Sequence, residues 1–258
     1  MRVRALTGYP IALRVDPTLA MFLDSRHRDG LIEVRYDAAS SLGHVVESVG
    51  VPLPEVGELL IGKRRAVVSE RIPPGQPVTV RPVSRPQPVP GGVPRFCLDV
   101  HLGKLARRMR ILGLDVAYRN DLDDDELIEL ASAEHRVLLT QDRGLLMRRA
   151  VRAGAFVRGA RPDAQLFDIL DRFAPPLAPW TRCPACNGPL APVPKRDIEH
   201  LLEPGTRRTY EEFARCQECG RVYWHGAHAP RLDPLVLRAR QVVAARAACP
   251  PPSGPGAA

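Results

Sequence analysis

Two cysteine pairs of identical spacing limit the fold of this chain more than any other feature. Cys183 and Cys186 stand in "CPAC", Cys216 and Cys219 in "CQEC", with 29 residues between the pairs. Gly188 or Gly220 follows each pair and allows a tight knuckle whose backbone amides point at sulfur. Four thiolates at tetrahedral corners suit Zn²⁺, and a closed four-cysteine shell is structural because it leaves no position for water. Disulfides are the competing use. The N-terminal "MRVRALTGYPIAL" lacks the apolar core and small-residue cleavage site of a secretion leader, which argues against them and leads us to expect a soluble cytoplasmic protein with no membrane span. Cys97 and Cys249 have no partner at such spacing.

Proline marks the joints. "RPVSRPQPVPGGVPR" can be neither a helix nor a central strand and reads as an extended linker, and "APPLAPW" sets a second break before the first cysteine pair. The layout expected is residues 1–83, a linker at 84–94, a middle domain at 95–178, a zinc ribbon at 179–232, and a terminal amphipathic helix with a disordered tail at 233–258.

In the first section "VRALTGYPIALRV" suggests two short strands around a Gly-Tyr-Pro turn. "SLGHVVESVGV" reads as a short helix opened by Ser41, and "GELLIGKRRAVV" and "PVTVRPV" read as strands around the turn "PPGQP". Strand, strand, helix, strand, strand suggests a small β-grasp. In the middle section Phe96 to Leu98 read as a buried strand. Leu102, Leu105, Ala106, Met109 and Leu112 then form a helical stripe ending near Gly113. "DVAY", the acidic helix of "NDLDDDELIELA", the strand "RVLLT" and a helix in "QDRGLLMRRAV" complete an alternation that predicts an α/β fold with a parallel sheet.

Such sheets bind ligands beyond the carboxyl ends of their strands. Asp99 follows one strand, Asp142 another, and Asp124 and Asp125 open a helix after a third. Crowded carboxylates repel unless a cation neutralises them, and oxygen-only ligands select Mg²⁺ or Mn²⁺. The plainer reading is that Asp123 and Glu126 form a capping box and the other acids offset the helix dipole. Lys104, Arg107, Arg108 and Arg143 lie near these acids in sequence and could contact phosphates. A solvated basic face is the alternative.

The net charge of +8 favours polyanionic partners. Residues 1–92, 93–178 and 179–258 carry +3, +1 and +4, so the middle section is nearly neutral because its acids are so numerous. Only Lys63, Lys104 and Lys195 are lysines; GC-rich coding alone would produce such an arginine bias.

"LDVHLGKLARRMRILGLDVAY", "DDDELIELA" and "VLLTQDRGLL", followed by "RCPACNGPL" and "CQECGRVYWHGAH", resemble the Mut-seven C-terminal RNase family over about Arg95 to Leu232. That family is a PIN-like nuclease fold with an appended zinc ribbon. The first section likewise resembles the ubiquitin-like domain, related to sulfur carriers, that this family commonly bears. The resemblance implies a metal-dependent ribonuclease, and its acids fall on Asp99, the Asp124–Asp125 pair and Asp142, with Asp125 preferred as the ligand of the pair. The fourth acid of many PIN sites has no counterpart, Asp163 and Asp168 being poor matches.

On this reading Asp99, Asp125 and Asp142 hold Mg²⁺ or Mn²⁺. Thr140 or Gln141 orients them, the four cysteines hold Zn²⁺, and the partner is RNA, tRNA among the candidates. Hydrolysis would leave 3′-hydroxyl and 5′-phosphate ends. Two rivals remain. One is a non-catalytic RNA- or tRNA-binding adaptor whose acids only cap helices. The other is a sulfur-transfer partner, disfavoured because Gly91 and Gly92 are internal. Tyr223, Trp224, His225 and His228 are expected to pack the ribbon or stack on a base.

Overall fold

The computed structural model describes residues 8–37, 39–224, 226 and 229–248. His225, His228, Cys249 and the tail lie outside these. Contacts gather the chain into two units, 1–84 with 140–156, and 85–139 with 157–258.

In the first unit β1 (Tyr9–Val15) and β2 (Leu31–Tyr36) are antiparallel and precede α1 (Leu42–Ser48). Next come β3 (Val56–Ile61), β4 (Arg64–Ala66) and β5 (Val78–Pro82). The sheet order is β2-β1-β5-β3-β4, and β1 and β5 are parallel neighbours at its centre, the arrangement of a β-grasp. Ser41 caps α1 by accepting the amide of His44 at 3.3 Å. Leu42, Val45 and Val46 fall on one face of the helix and are buried in a core with Leu13, Val15, Phe22, Leu59, Val78 and Val80.

The expected Gly-Tyr-Pro turn is not formed. Tyr9 and Pro10 run on within β1, paired with Tyr36 and Arg35. Pro10 is tolerated because β5 flanks only Leu13 to Val15, leaving the proline on an unpaired edge on that side. The strand-like run before Gly8 lies outside the described residues, and "LIEVRY" forms a strand that the sequence analysis does not name.

The second unit opens with β6 (Phe96–Leu98), α2 (Gly103–Ile111), β7 (Val116–Tyr118) and α3 (Asp124–Ala133), followed by β8 (Val137–Thr140). β6 is parallel to both β7 and β8, as the alternation predicts. All five residues of the α2 stripe are buried. Gly113 ends the helix at φ +80°, where a Cβ would lie 1.9 Å from the Ala178 carbonyl oxygen. The Ala178 and Trp180 amides donate to the carbonyls of Leu112 and Ile111, so the second proline cluster is pinned to the end of α2.

The chain then passes through α4 (Arg143–Leu146) and β9 (Gly154–Phe156), which belong to the first unit. α4 is four residues, much shorter than "QDRGLLMRRAV" suggested. There the Arg143 guanidinium donates to the Phe22 carbonyl at 2.7 Å, and the Phe156 amide donates to the buried Glu55 carboxylate at 2.7 Å. The second unit resumes with α5 (Pro162–Phe173), β10 (Leu190–Val193), α6 (Lys195–Ile198) and α7 (Pro204–Thr209). β11 (Phe213–Cys216), β12 (Val222–Trp224) and α8 (Ala229–Ala247) follow. β10, β11 and β12 form an antiparallel ribbon over a small core of Ile198, Leu202 and Phe213. Among the described residues no helix is long and apolar enough to cross a membrane.

The linker is anchored at its start. Arg85 pairs with Asp168 and Asp171 of α5 at 2.8 and 2.7 Å, and Gln87 exchanges hydrogen bonds with Arg172. Pro90 to Val93 are exposed, and a Cβ at Gly91 or Gly92 would meet nothing within 4 Å. A broad-specificity protease should therefore cut first within residues 90–93. First cuts elsewhere, with 84–94 intact, would show that this stretch is protected.

Candidate functional site

The four cysteines converge. Cys183 and Cys219 place their sulfurs 3.7 Å apart, Cys186 and Cys216 3.4 Å, and all four Sγ atoms lie within 4.8 Å of one another. A tetrahedral zinc with Zn–S bonds of about 2.3 Å would set its sulfurs about 3.8 Å apart, so the donor set fits zinc in spacing and chemistry. The two knuckles are built alike. The Cys183 amide donates to the Gly188 carbonyl and the Cys216 amide to the Arg221 carbonyl, each five residues on. A Cβ at Gly188 would lie 2.4 Å from Glu218 Cγ and 3.0 Å from Cys216 Sγ, which explains the glycine.

Burial opposes ionisation of Cys183, yet the Tyr223 hydroxyl at 3.0 Å and the amides of Ala185 and Cys186 bring the thiol down to about 6. Burial pushes Cys186 up to about 12. One thiol ionises readily while its neighbour resists, so four thiolates together require a cation. Among the described residues this is the one group of three or more His, Cys, Asp or Glu side chains close enough to share an ion. It contains none of Asp99, Asp124, Asp125 or Asp142.

A network that sequence reading missed joins the first knuckle to the parallel sheet. Asn187, at φ +75°, accepts the Val116 amide through its Oδ1 and donates through Nδ2 to Asp115, each at 2.9 Å. Arg136, Arg182 and Arg95 pair with the same carboxylate. Buried Arg110 donates to the Ala185 carbonyl of the knuckle and to the Val116 carbonyl of β7. The one available signal was Asn between Cys186 and Gly188, since asparagine tolerates positive φ.

Burial alone would raise the Asp115 carboxyl, but Arg136, Asn187 and Arg182 hold it at about 2 against 3.8 when unfolded. A depressed value contributes stability above the unfolded pKa, about 2 kcal/mol here, and that contribution is lost as pH falls from about 4 through 2. Asp115→Asn should therefore lower stability at pH 7 and differ much less from wild type at pH 2.5. Equal differences by urea unfolding at both pH values would contradict this.

The acids occupy strand and helix ends. Asp99 directly follows β6, is nearly buried, and donates its amide to the Leu139 carbonyl of β8 at 3.0 Å. Asp123 forms the expected capping box, its carboxylate accepting the Glu126 amide while Glu126 accepts the Asp123 amide. Capping therefore occupies Asp123, whereas Asp124 and Asp125 are exposed in the first turn of α3. Asp142 caps α4, accepting the Gly144 and Leu145 amides at 2.6 and 3.3 Å, and its own amide donates to the Thr140 hydroxyl.

Among the basic residues Lys104 and Arg107 are exposed on α2. Arg108 pairs with Asp163, and Arg143 uses one donor on the Phe22 carbonyl. Cys97 is fully buried, its thiol pushed up to about 11 by burial, and is inert.

Comparison with known families gives two matches. The family model described as the Mut7-C RNase domain matches residues 94–236. The one described as Mut7-C ubiquitin matches residues 9–88. Neither the curated proteins nor the solved structures gave a match.

Proposed function

Since the chain belongs to the Mut7-C RNase domain family, we propose that it hydrolyses RNA phosphodiester bonds at a Mg²⁺ or Mn²⁺ site made by Asp99, Asp142 and the Asp124–Asp125 pair. The observation that carries this reading is the level ending of two parallel strands. The Asp99 amide bonds to Leu139, so β6 ends beside β8, and Asp142 is three residues further along the chain. α3, with Asp124 and Asp125 in its first turn, follows the third strand, β7. Ligands bind beyond the carboxyl ends of such strands.

The donors are all carboxylate oxygens, which fit a hard dication. When bound, such an ion supplies Lewis acidity and lowers the pKa of a coordinated water. The chain itself does the positioning. Thr140 fixes the backbone of Asp142, and the Gly144 and Leu145 amides orient its carboxylate through one oxygen. Asp99 is held by the sheet ladder, and Asp125, exposed in the first turn of α3, is the preferred third ligand. Lys104 and Arg107 would hold substrate phosphates beside the acids, with Arg108 and the remaining donors of Arg143 as weaker contributors because both already have partners. Cleavage would leave 3′-hydroxyl and 5′-phosphate ends. The substrate class is RNA, with tRNA one member to try. The proposed domains are 1–83, 95–178 and 179–232, and the reading puts the enzyme in the cytoplasm, where the zinc cysteines stay reduced.

An RNA-binding adaptor is the second reading. It draws on the helix-capping bonds of Asp123 and Asp142. Incubation of the purified chain with a mixed RNA pool separates the two. Cleavage that depends on added Mn²⁺ or Mg²⁺ supports the ribonuclease, and retention of intact RNA under both metals supports the adaptor.

A further inference from the structure

The β-grasp sheet of the first unit ends on two edge strands, β2 and β4. An edge strand presents a row of unpaired amides and carbonyls to any strand that can add to it, and charged side chains ordinarily deter this. β4 is protected in that way. It is three residues long, and its arginines are engaged, Arg64 with Glu70 and Arg65 with Glu58. β2 is six residues long, and among the described residues no strand covers its outer side.

The register with β1 fixes which backbone groups of β2 face outward. The Val15 amide donates to the Gly30 carbonyl at 2.7 Å, one step beyond the Arg14–Leu31 pair. In an antiparallel ladder hydrogen-bonded pairs alternate with non-bonded ones. Ile32, Val34 and Tyr36 therefore bond to β1, whereas Glu33 and Arg35 direct their amides and carbonyls away from the sheet. Leu31 points the same way, its amide 3.4 Å from the Asp29 carboxylate. The side chains of Glu33 and Arg35 are exposed and have no partner among the described residues. On the inner face Ile32 and Tyr36 are buried, while Val34 between them is only partly so.

We propose that two copies of this chain pair edge to edge through β2, Glu33 of each beside Arg35 of the other, joining two β-grasp sheets into one. A two-fold axis sets a strand antiparallel to its own copy. Only an axis through a residue, not between residues, opposes outward-bonding residues to one another. Among axes that keep most of β2 paired, one at Glu33 opposes two carboxylates and one at Arg35 opposes two guanidiniums, and like charges directly opposite destabilise. An axis at Val34 opposes each Glu33 to Arg35 of the other copy. The two Val34 side chains then meet in the closer, non-bonded pair and complete each other's burial. The same operation on β4 opposes arginine to arginine. The inference does not depend on the ribonuclease reading. A dimer carries two RNase domains, which raises avidity for any RNA long enough to reach both.

The test is sedimentation velocity of the full chain over a range of concentrations. Single edge strands bury less than a standard interface, so wild type should dimerise with a dissociation constant of about 1–100 µM. Glu33→Arg and Arg35→Glu each set like charges opposite at both pairs, and each should weaken dimerisation about tenfold or more. Mixing the two variants should recover dimers to within about threefold of wild type, because the heterodimer again holds two opposite-charge pairs. That recovery also shows that both variants fold. Wild type that stays monomeric at about 200 µM would overturn the pairing. A dimer that neither single variant weakens would overturn it as well, as would weakening without recovery on mixing.

Discussion

Cys216→Ser should lose its zinc and unfold the ribbon. Wild-type protein purified without added metal should carry about one zinc per chain, because binding to four thiolates contributes on the order of 10 kcal/mol or more to folding. Serine supplies no comparable ligand at neutral pH, which leaves three thiolates where a closed shell needs four. The damage should not stop at the ribbon. Asn187 sits inside the first knuckle and holds both the Val116 amide of β7 and the Asp115 carboxylate. A knuckle without metal frees that side chain, so we expect the thermal midpoint to fall by more than about 10 °C and β7 amides to lose exchange protection. Metal analysis and hydrogen exchange check both effects. Zinc-free wild type with stoichiometric disulfides would contradict them.

The second large effect concerns neighbours within one acidic run. Asp123→Asn keeps a capping oxygen for the Glu126 amide and gives up only the charge that offsets the helix dipole, so it should cost at most about 1 kcal/mol of stability while leaving cleavage within about twofold of wild type. Asp125→Asn, two residues on, should cost little stability and reduce cleavage at least ~100-fold by removing an anionic metal ligand. RNA affinity should hold or rise, since a lost carboxylate no longer repels phosphate. Equal, small effects of Asp123→Asn, Asp124→Asn and Asp125→Asn would assign the whole run to the helix terminus. Asp124→Asn tells which member of the pair is the ligand.

The parts of the fold visible in sequence were those with strong local periodicity. The α2 stripe, the strand "RVLLT", the capping box and the knuckles each depend on residues within a few positions of one another. β2 was legible: in "LIEVRY" Ile32, Val34 and Tyr36 alternate with Leu31, Glu33 and Arg35, the period-2 pattern of a half-buried strand, blurred only by apolar Leu31 on the exposed face. The Gly-Tyr-Pro turn was misread because whether a proline can sit in a strand depends on which neighbour flanks it. Asp115 and Arg136 were invisible because long-range ion pairs leave no spacing signature.

In the proposed reading Asp99 and Asp142 serve one metal-dependent ribonuclease centre. Its most direct measurement is cleavage of an end-labelled mixed RNA pool in Mn²⁺ by wild type and by the Asp99→Asn, Asp142→Asn double variant, with zinc content and thermal midpoint recorded for both. Wild type should cut to 5′-phosphate products only when Mn²⁺ or Mg²⁺ is added, and the double variant, still zinc-loaded and folded, should bind RNA without cutting it. Full cleavage by the folded double variant, or metal-independent cleavage by wild type, would contradict the assignment.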